Sequence, residues 1–205
     1  MGKIPFYIFL IITSFFFVGF SSQVYASDFL VDINRELVID SAESIETTET
    51  RTIHNNSANR LITKENNETF QIIVIDENED KLQPSFLSAQ TFIDGKIVQN
   101  KQGSEDTGLT EVLIPYNSSI GIGQSKEFKI IYNNYGLIKT TGALLDIFSP
   151  GFGKDYKFDN GTTSYKYQTT IKINRNLGEV GFVVPTPVET LVEGNYYVYK
   201  ISPES

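Results

Sequence analysis

The chain has 205 residues, a formal charge of −8, one histidine, no cysteine and no tryptophan. Without cysteine there is no thiol chemistry and no disulfide, so the protein must be held together by packing. The acidic balance, with no Lys/Arg cluster, disfavours nucleic acid and anionic lipid surfaces, both of which call for a basic face. The 15 Phe and 11 Tyr stand among many Ile, Val and Thr, residue types that suit a pleated, half-buried surface.

The N-terminus places Lys3 before a predominantly apolar run over residues 4–20, then the polar Ser21-Ser22-Gln23, then Val24-Tyr25-Ala26. A basic start, an apolar middle and small residues at −3 and −1 predict a secretory signal peptide over residues 1–26, cleaved after Ala26. The competing reading is an uncleaved anchor, for which this run is at the lower limit of length. The mature domain, residues 27–205, is then secreted or held in the extracytoplasmic cell envelope, and it touches a membrane only if the signal segment stays attached.

Phe29-Leu30-Val31-Asp32-Ile33 and Glu36-Leu37-Val38-Ile39 predict one opening strand or a pair. Residues 44–54 alternate polar and β-branched side chains until Asn55-Asn56-Ser57-Ala58-Asn59 breaks the pattern. Phe70-Gln71-Ile72-Ile73-Val74-Ile75 is a strongly apolar strand. Ala89-Gln90-Thr91-Phe92-Ile93 and Lys96-Ile97-Val98 flank Asp94-Gly95, the two-residue signature of a type I′ hairpin. Further strands are expected at 110–114, stopping at Pro115, and at 126–132, ending in Asn133-Asn134. Another spans 142–148, closed by Ser149-Pro150-Gly151. Residues 165–173 set Tyr165, Tyr167, Thr169, Ile171 and Ile173 against Lys166, Gln168, Thr170 and Lys172, as a sheet with one solvated side requires. Asn195-Tyr196-Tyr197-Val198-Tyr199-Lys200-Ile201 is the last strand, and a complete chain or a fragment of a longer one can end in this way. Strands recurring about every ten residues without a helical period predict an all-β fold, an antiparallel β-sandwich of immunoglobulin-like or related type.

Candidate chemistry is sparse. Asp76-x-Asn78-x-Asp80 matches the first ligand positions of a calcium loop, but Lys81 replaces its glycine and Leu87 its bidentate glutamate, so the run reads as a solvated turn. Gly121-Ile122-Gly123 lacks the third glycine of a dinucleotide loop, position 126 being Lys126, and reads as a tight turn. His54 would have to carry any Ser-His-Asp hydrolase, with no Gly-x-Ser-x-Gly elbow in the chain, and reads as an ordinary surface histidine. One histidine and no thiolate give zinc little to bind. Sequence spacing leaves open a carboxylate pair meeting in space, the arrangement of a glycosidase. Tyr196, Tyr197 and Tyr199 could stack on sugars, although a cross-strand aromatic ladder is the commoner use. Asn55, Asn67, Asn117 and Asn160 each open an Asn-x-Ser/Thr triplet. No catalytic, cofactor-binding or metal residue is assigned from the sequence, no cofactor is expected, and the chain is expected not to be an enzyme.

A resemblance adds a functional expectation. Ile120-Gly121-Ile122-Gly123, the strand Phe128-Lys129-Ile130-Ile131-Tyr132, the stretch from Thr141-Gly142 to Pro150-Gly151, the alternating strand 165–173 and Pro185-Thr186-Pro187 follow one another in order. From about Phe29 to Pro187 this resembles the N-terminal β domain that precedes transglutaminase-like domains of the papain-like superfamily in secreted bacterial proteins. The resemblance implies a non-catalytic front module that presents or braces a downstream domain of the same protein, where a Cys-His-Asp triad would lie. No residue here matches that triad. The alternative is a stand-alone secreted module that binds a cell-surface protein or glycan through loops at one end of the sandwich.

Overall fold

The computed structural model describes residues 27–59, 67–73, 87–106, 109–116, 118–142, 144–149 and 161–202. Its strands are β1 (Phe29–Ile39), β2 (Ser44–Asn55), β3 (Asn67–Ile73), β4 (Gln90–Ile93), β5 (Lys96–Val98), β6 (Lys101–Asp106), β7 (Leu109–Pro115), β8 (Ser125–Tyr135), β9 (Ile138–Thr141), β10 (Leu144–Ile147), β11 (Thr163–Asn174), β12 (Glu189–Glu193) and β13 (Tyr196–Ile201). Eight of them form one sheet in the order β12-β13-β11-β1-β2-β8-β4-β5, facing a three-stranded sheet β3-β7-β6, with β9 and β10 as a separate hairpin. The expected all-β sandwich is therefore present. Within it, β1 pairs β11 in parallel, Phe29 opposite Thr163 and Ile39 opposite Ile173, while the other pairs are antiparallel.

The period-two pattern fixes which side chains point inward. Along β1 the inward positions are Phe29, Val31, Ile33, Arg35, Leu37 and Ile39, all buried. The two runs around Asn34-Arg35 are thus a single strand, because both keep the same phase. Phe29, Val31, Ile33, Ile53, Phe128 and Ile130 of the large sheet pack on Phe70, Ile72, Val112 and Ile114 of the small one. A second core of Leu37, Ile39, Ile45, Leu137, Ile173 and Tyr199 lies further along, overlaid by Ile147, Leu177, Val180 and Val183.

Polar side chains lie on the inward face as well. Arg35 Nε and Nη2 donate to Glu49 Oε2 at 2.9 and 2.6 Å. Arg51 Nε donates to Glu49 Oε1 at 2.8 Å, and Arg51 Nη1 crosses to the small sheet, donating to Glu68 Oε1 at 3.0 Å and to the Thr69 carbonyl at 2.8 Å. The Arg51 guanidinium also lies 4.1 Å above the Phe70 ring, where the ring's negative face attracts a cation. All four charged residues are 6 % exposed or less. Burial pushes the Glu49 carboxyl up, but the charges of Arg51 and Arg35 and the hydrogen bonds they donate outweigh it and hold the group below its usual value. Burial, reinforced by the Glu49 charge, pushes the Tyr132 phenol up to about 12.

Several elements differ from the sequence expectation. Asn133-Asn134 continue β8 rather than ending it, opposite Glu46 and Ile45, and Asn134 is buried on the inward face. The run at 142–148 is the second arm of a hairpin, since β9 precedes it. Strands β6 and β12 were not foreseen, because Lys101–Asp106 and Glu189–Glu193 are edge segments with little apolar alternation. The Asp94-Gly95 hairpin stands as read, with φ 49° and 74°. The predicted signal segment and the Asp76-Asn78-Asp80 run lie outside the described residues.

Two outcomes follow from this architecture. Glu49→Gln should lower stability at pH 7 by about 3–5 kcal/mol, the cost of leaving buried charges uncompensated. Because the folded Glu49 titrates below the ordinary glutamate value of 4.5, its contribution is complete above that pH and is lost as pH falls through the folded value. Urea unfolding at pH 7 and pH 3 should then show a smaller pH dependence in Glu49→Gln than in the parent. Gly95→Ala should cost about 1 kcal/mol in the same assay, since a Cβ there meets no atom within 4 Å and only the left-handed backbone resists it.

Candidate functional site

On the outward face of the large sheet, register brings three chemically useful side chains together. His54 on β2 is opposite Ser125 on β8 and Leu30 on β1. The Asn55 N–H donates to the Gln124 carbonyl at 3.0 Å, which makes His54 and Ser125 a non-hydrogen-bonded pair, the kind whose side chains stand closest. His54 Nδ1 is 2.7 Å from Ser125 Oγ, and His54 Nε2 is 3.0 Å from Asp32 Oδ2. A carboxylate only accepts, so Nε2 donates to Asp32, and in the neutral imidazole Nδ1 accepts the Ser125 hydroxyl proton. Lys166, directly opposite Asp32 on β11, places Nζ 3.9 Å from Asp32 Oδ1. The His54 and Asp32 side chains are 29 % and 26 % exposed, and Ser125 is exposed. Nucleophile, base and orienting carboxylate are therefore in contact on an accessible sheet face.

His54 is a surface side chain, as expected, but its two partners were not foreseen. Ser125 opens β8 and Asp32 lies within β1, and neither carries a local motif. Only the pairing of β1, β2 and β8 brings them to one place.

The other candidates find structural uses. The Gly121-Ile122-Gly123 turn is as expected: Gly123 N–H donates to the Asn55 carbonyl at 2.8 Å, and Gly121 N–H to Gln124 Oε1 at 3.0 Å. Asn55 is fully buried, its Nδ2 donating to the Ile120 carbonyl at 3.0 Å and its Oδ1 accepting from Ser57 N and Oγ. In the folded state that triplet is closed to a glycan. The Asn67 side chain, Asn117 and Asn160 lie outside the described residues. Tyr197 and Tyr199 share the face that packs on the second core, whereas Tyr196 lies on the opposite face and donates to Asp40 Oδ1 at 2.8 Å. That hydrogen bond pushes the Tyr196 phenol up. The cross-strand partners of Tyr197 and Tyr199 are Ile173, Val192, Ile171 and Thr190, so they form neither a sugar platform nor an aromatic ladder. Glu49 and Glu68, two carboxylates joined through Arg51, are too buried to serve as a glycosidase pair. Among the described residues no three His, Asp or Glu side chains converge to hold a metal, and no helix is long and apolar enough to cross a membrane.

No protein-family model matches the chain, and no curated protein matches it. Solved structures similar to it include an M1 zinc metallopeptidase from Deinococcus radiodurans, at 7 % identity and a TM-score of 0.42, covering 85 % of this chain and 38 % of that one. Others are Legionella pneumophila aminopeptidase A in complex with aspartic acid, at 13 % identity and 0.42, covering 88 % and 20 %, and native yeast LTA4 hydrolase, at 12 % identity and 0.39, covering 84 % and 26 %. The chain thus spans well under half the length of the proteins it is similar to, and likenesses this distant carry no functional argument. They do correct the transglutaminase-like expectation, and with it the front-module role: the similar structures are peptidases and LTA4 hydrolase, and no family model supports the link. The physical reason is that Gly121, Gly123 and the strand 128–132 serve a turn and a pairing that any sandwich of this kind can use, so their order was not specific to one family.

His54→Ala removes two partly exposed hydrogen bonds and should lower stability by only about 1 kcal/mol, measured by urea unfolding. A loss as large as that of Glu49→Gln would mean that the row is a structural keystone.

Proposed function

We propose that this chain is an exported, non-catalytic β module that works by binding another folded protein domain through an apolar strip beside β12. One observation carries the reading: residues 180–188 are apolar on both faces. Val180 and Val183 pack inward on the second core, while Phe182 is 83 % exposed, Val184 79 % and Val188 67 %. No charged residue occurs from Gly181 to Val188, although the chain carries a net −8. Val192 on β12 adds to the same end of the sheet, and Val188 N–H donates to the Lys200 carbonyl at 2.8 Å, tying the strip to β13. A soluble surface rarely leaves large apolar side chains clustered in this way unless another surface covers them.

The strip is uncharged, so the partner is recognised by an apolar patch of its own. Strand β12 is the last of the large sheet and is hydrogen-bonded on one side, to β13. Glu189 and Glu193 at its two ends discourage indiscriminate strand pairing, and Glu189 is held by Lys200 at 2.8 Å. The export part of the reading rests on Lys3, the apolar run 4–20 and Val24-Tyr25-Ala26. The partner is accordingly a separate protein of the cell exterior.

Replacing Phe182 by a photoreactive benzoylphenylalanine in the producing cells tests this. Irradiation should give one discrete protein adduct, absent when the same group replaces Gln168 on the outward sheet face. Phe182→Asp combined with Val184→Asp should remove the binding while changing stability by no more than about 0.5 kcal/mol. Folded protein that yields no discrete adduct from position 182 would overturn the proposal.

A further inference from the structure

We infer that Ser125 is a self-acylating nucleophile, activated by His54 and positioned by Asp32, that accepts an acyl group from an activated ester or thioester. The inference is independent of the binding role of the apolar strip. It rests on the row described above: Ser125 Oγ at 2.7 Å from His54 Nδ1, and His54 Nε2 at 3.0 Å from Asp32 Oδ2. These are the two contacts that a serine nucleophile requires, one to remove its proton and one to hold the base in the correct tautomer. The ring is turned so that Nδ1, rather than Nε2, faces the hydroxyl, and the proton inventory is the same either way.

The step balances without a further reactant. Ser125 Oγ attacks the carbonyl carbon of the acyl donor, and its proton moves to His54 Nδ1. The resulting imidazolium faces the Asp32 carboxylate through Nε2–H. When the tetrahedral adduct collapses, the bond from carbon to the leaving oxygen or sulfur breaks, and the leaving group departs as an alcohol, phenol or thiol with the proton from Nδ1. Ser125 is left as an ester and His54 as neutral imidazole. As a non-hydrogen-bonded partner of His54, Ser125 points its own N–H away from β2. On that side the β4–β5 turn reaches as far as Glu127, through Asp94 N–H to the Glu127 carbonyl and Glu127 N–H to Asp94 Oδ1, both at 3.0 Å. The step ends at the acyl-serine, so the chain serves as a stoichiometric acceptor.

The test is acetylation of the full chain by p-nitrophenyl acetate at pH 7.5, followed by p-nitrophenolate release and by peptide mass mapping. Ser125 should acquire an acetyl group at least about 100-fold faster than exposed Ser41, in line with the contribution of a positioned base. His54→Ala should bring Ser125 down to the Ser41 rate while the far-UV spectrum stays that of a β protein. Asp32→Asn should slow Ser125 without changing Ser41, and Asp32→Glu should restore part of the rate, which separates a positioning role from simple loss of structure. Equal rates at Ser125 and Ser41 in the parent protein, or a Ser125 rate unchanged in folded His54→Ala, would overturn the inference.

Discussion

A single buried carboxylate ties this sandwich together. Glu49 sits on the inward face of the central strand β2, where burial alone would drive it to the neutral form, and two guanidinium groups keep it charged. Arg35 reaches it from β1, and Arg51 passes the linkage on to Glu68 and the Thr69 carbonyl in the opposing sheet. The two arginines and two glutamates cancel in charge, so the interior carries a continuous polar bridge with no net ion. Any one of them left alone would cost several kcal/mol of desolvation. The bridge also specifies register: Arg35 is directly opposite Glu49, and a one-residue slip of β1 would send Arg35 to the outward face and leave Glu49 short of a partner.

The apolar residues are arranged around that bridge. On one side Phe29, Val31, Ile33, Phe128 and Ile130 meet the small sheet, and on the other Leu37, Ile39, Ile45 and Ile173 are overlaid by the β9–β10 hairpin and the segment that carries Val180 and Val183. The second core therefore has a thinner cover than the first. Its covering segment contributes Val180 and Val183 inward and leaves Phe182 and Val184 outward. The segment is not a strand, and it has no charged side chain from Gly181 to Val188 to place on its outer face.

The outward face of the large sheet follows the complementary rule. Cross-strand pairs there are polar and oppositely charged, as with Lys172 and Glu36 at 2.7 Å and Lys166 beside Asp32. The Ser125–His54–Asp32 row belongs to this face. It exists because three strands from distant parts of the chain keep their phases, so its geometry inherits the precision of the ladder and not of a loop.

Much of the fold was legible in the sequence because alternation is a local property. The strands around 29–39, 44–55, 90–98, 125–135 and 163–174 show it directly, and Asp94-Gly95 announces its own turn through its left-handed backbone. Strands β6 and β12 were not legible, since Lys101–Asp106 and Glu189–Glu193 carry little apolar alternation. Asn133-Asn134 misled for a related reason: asparagine favours turns in isolation, yet here the strand continues through both residues. The family resemblance failed because turns and strand order recur in unrelated sandwiches. By itself the sequence determined the all-β class, the alternating faces and the absence of thiol chemistry, all of which depend on residue type and near-neighbour spacing. The tertiary structure alone decided that β1 and β11 run parallel, that Arg35, Glu49, Arg51 and Glu68 meet, and that His54 lies between Ser125 and Asp32. Each of these joins residues far apart in the chain, and long-range register is set by the balance of burial and pairing over the whole sheet, which no local pattern records.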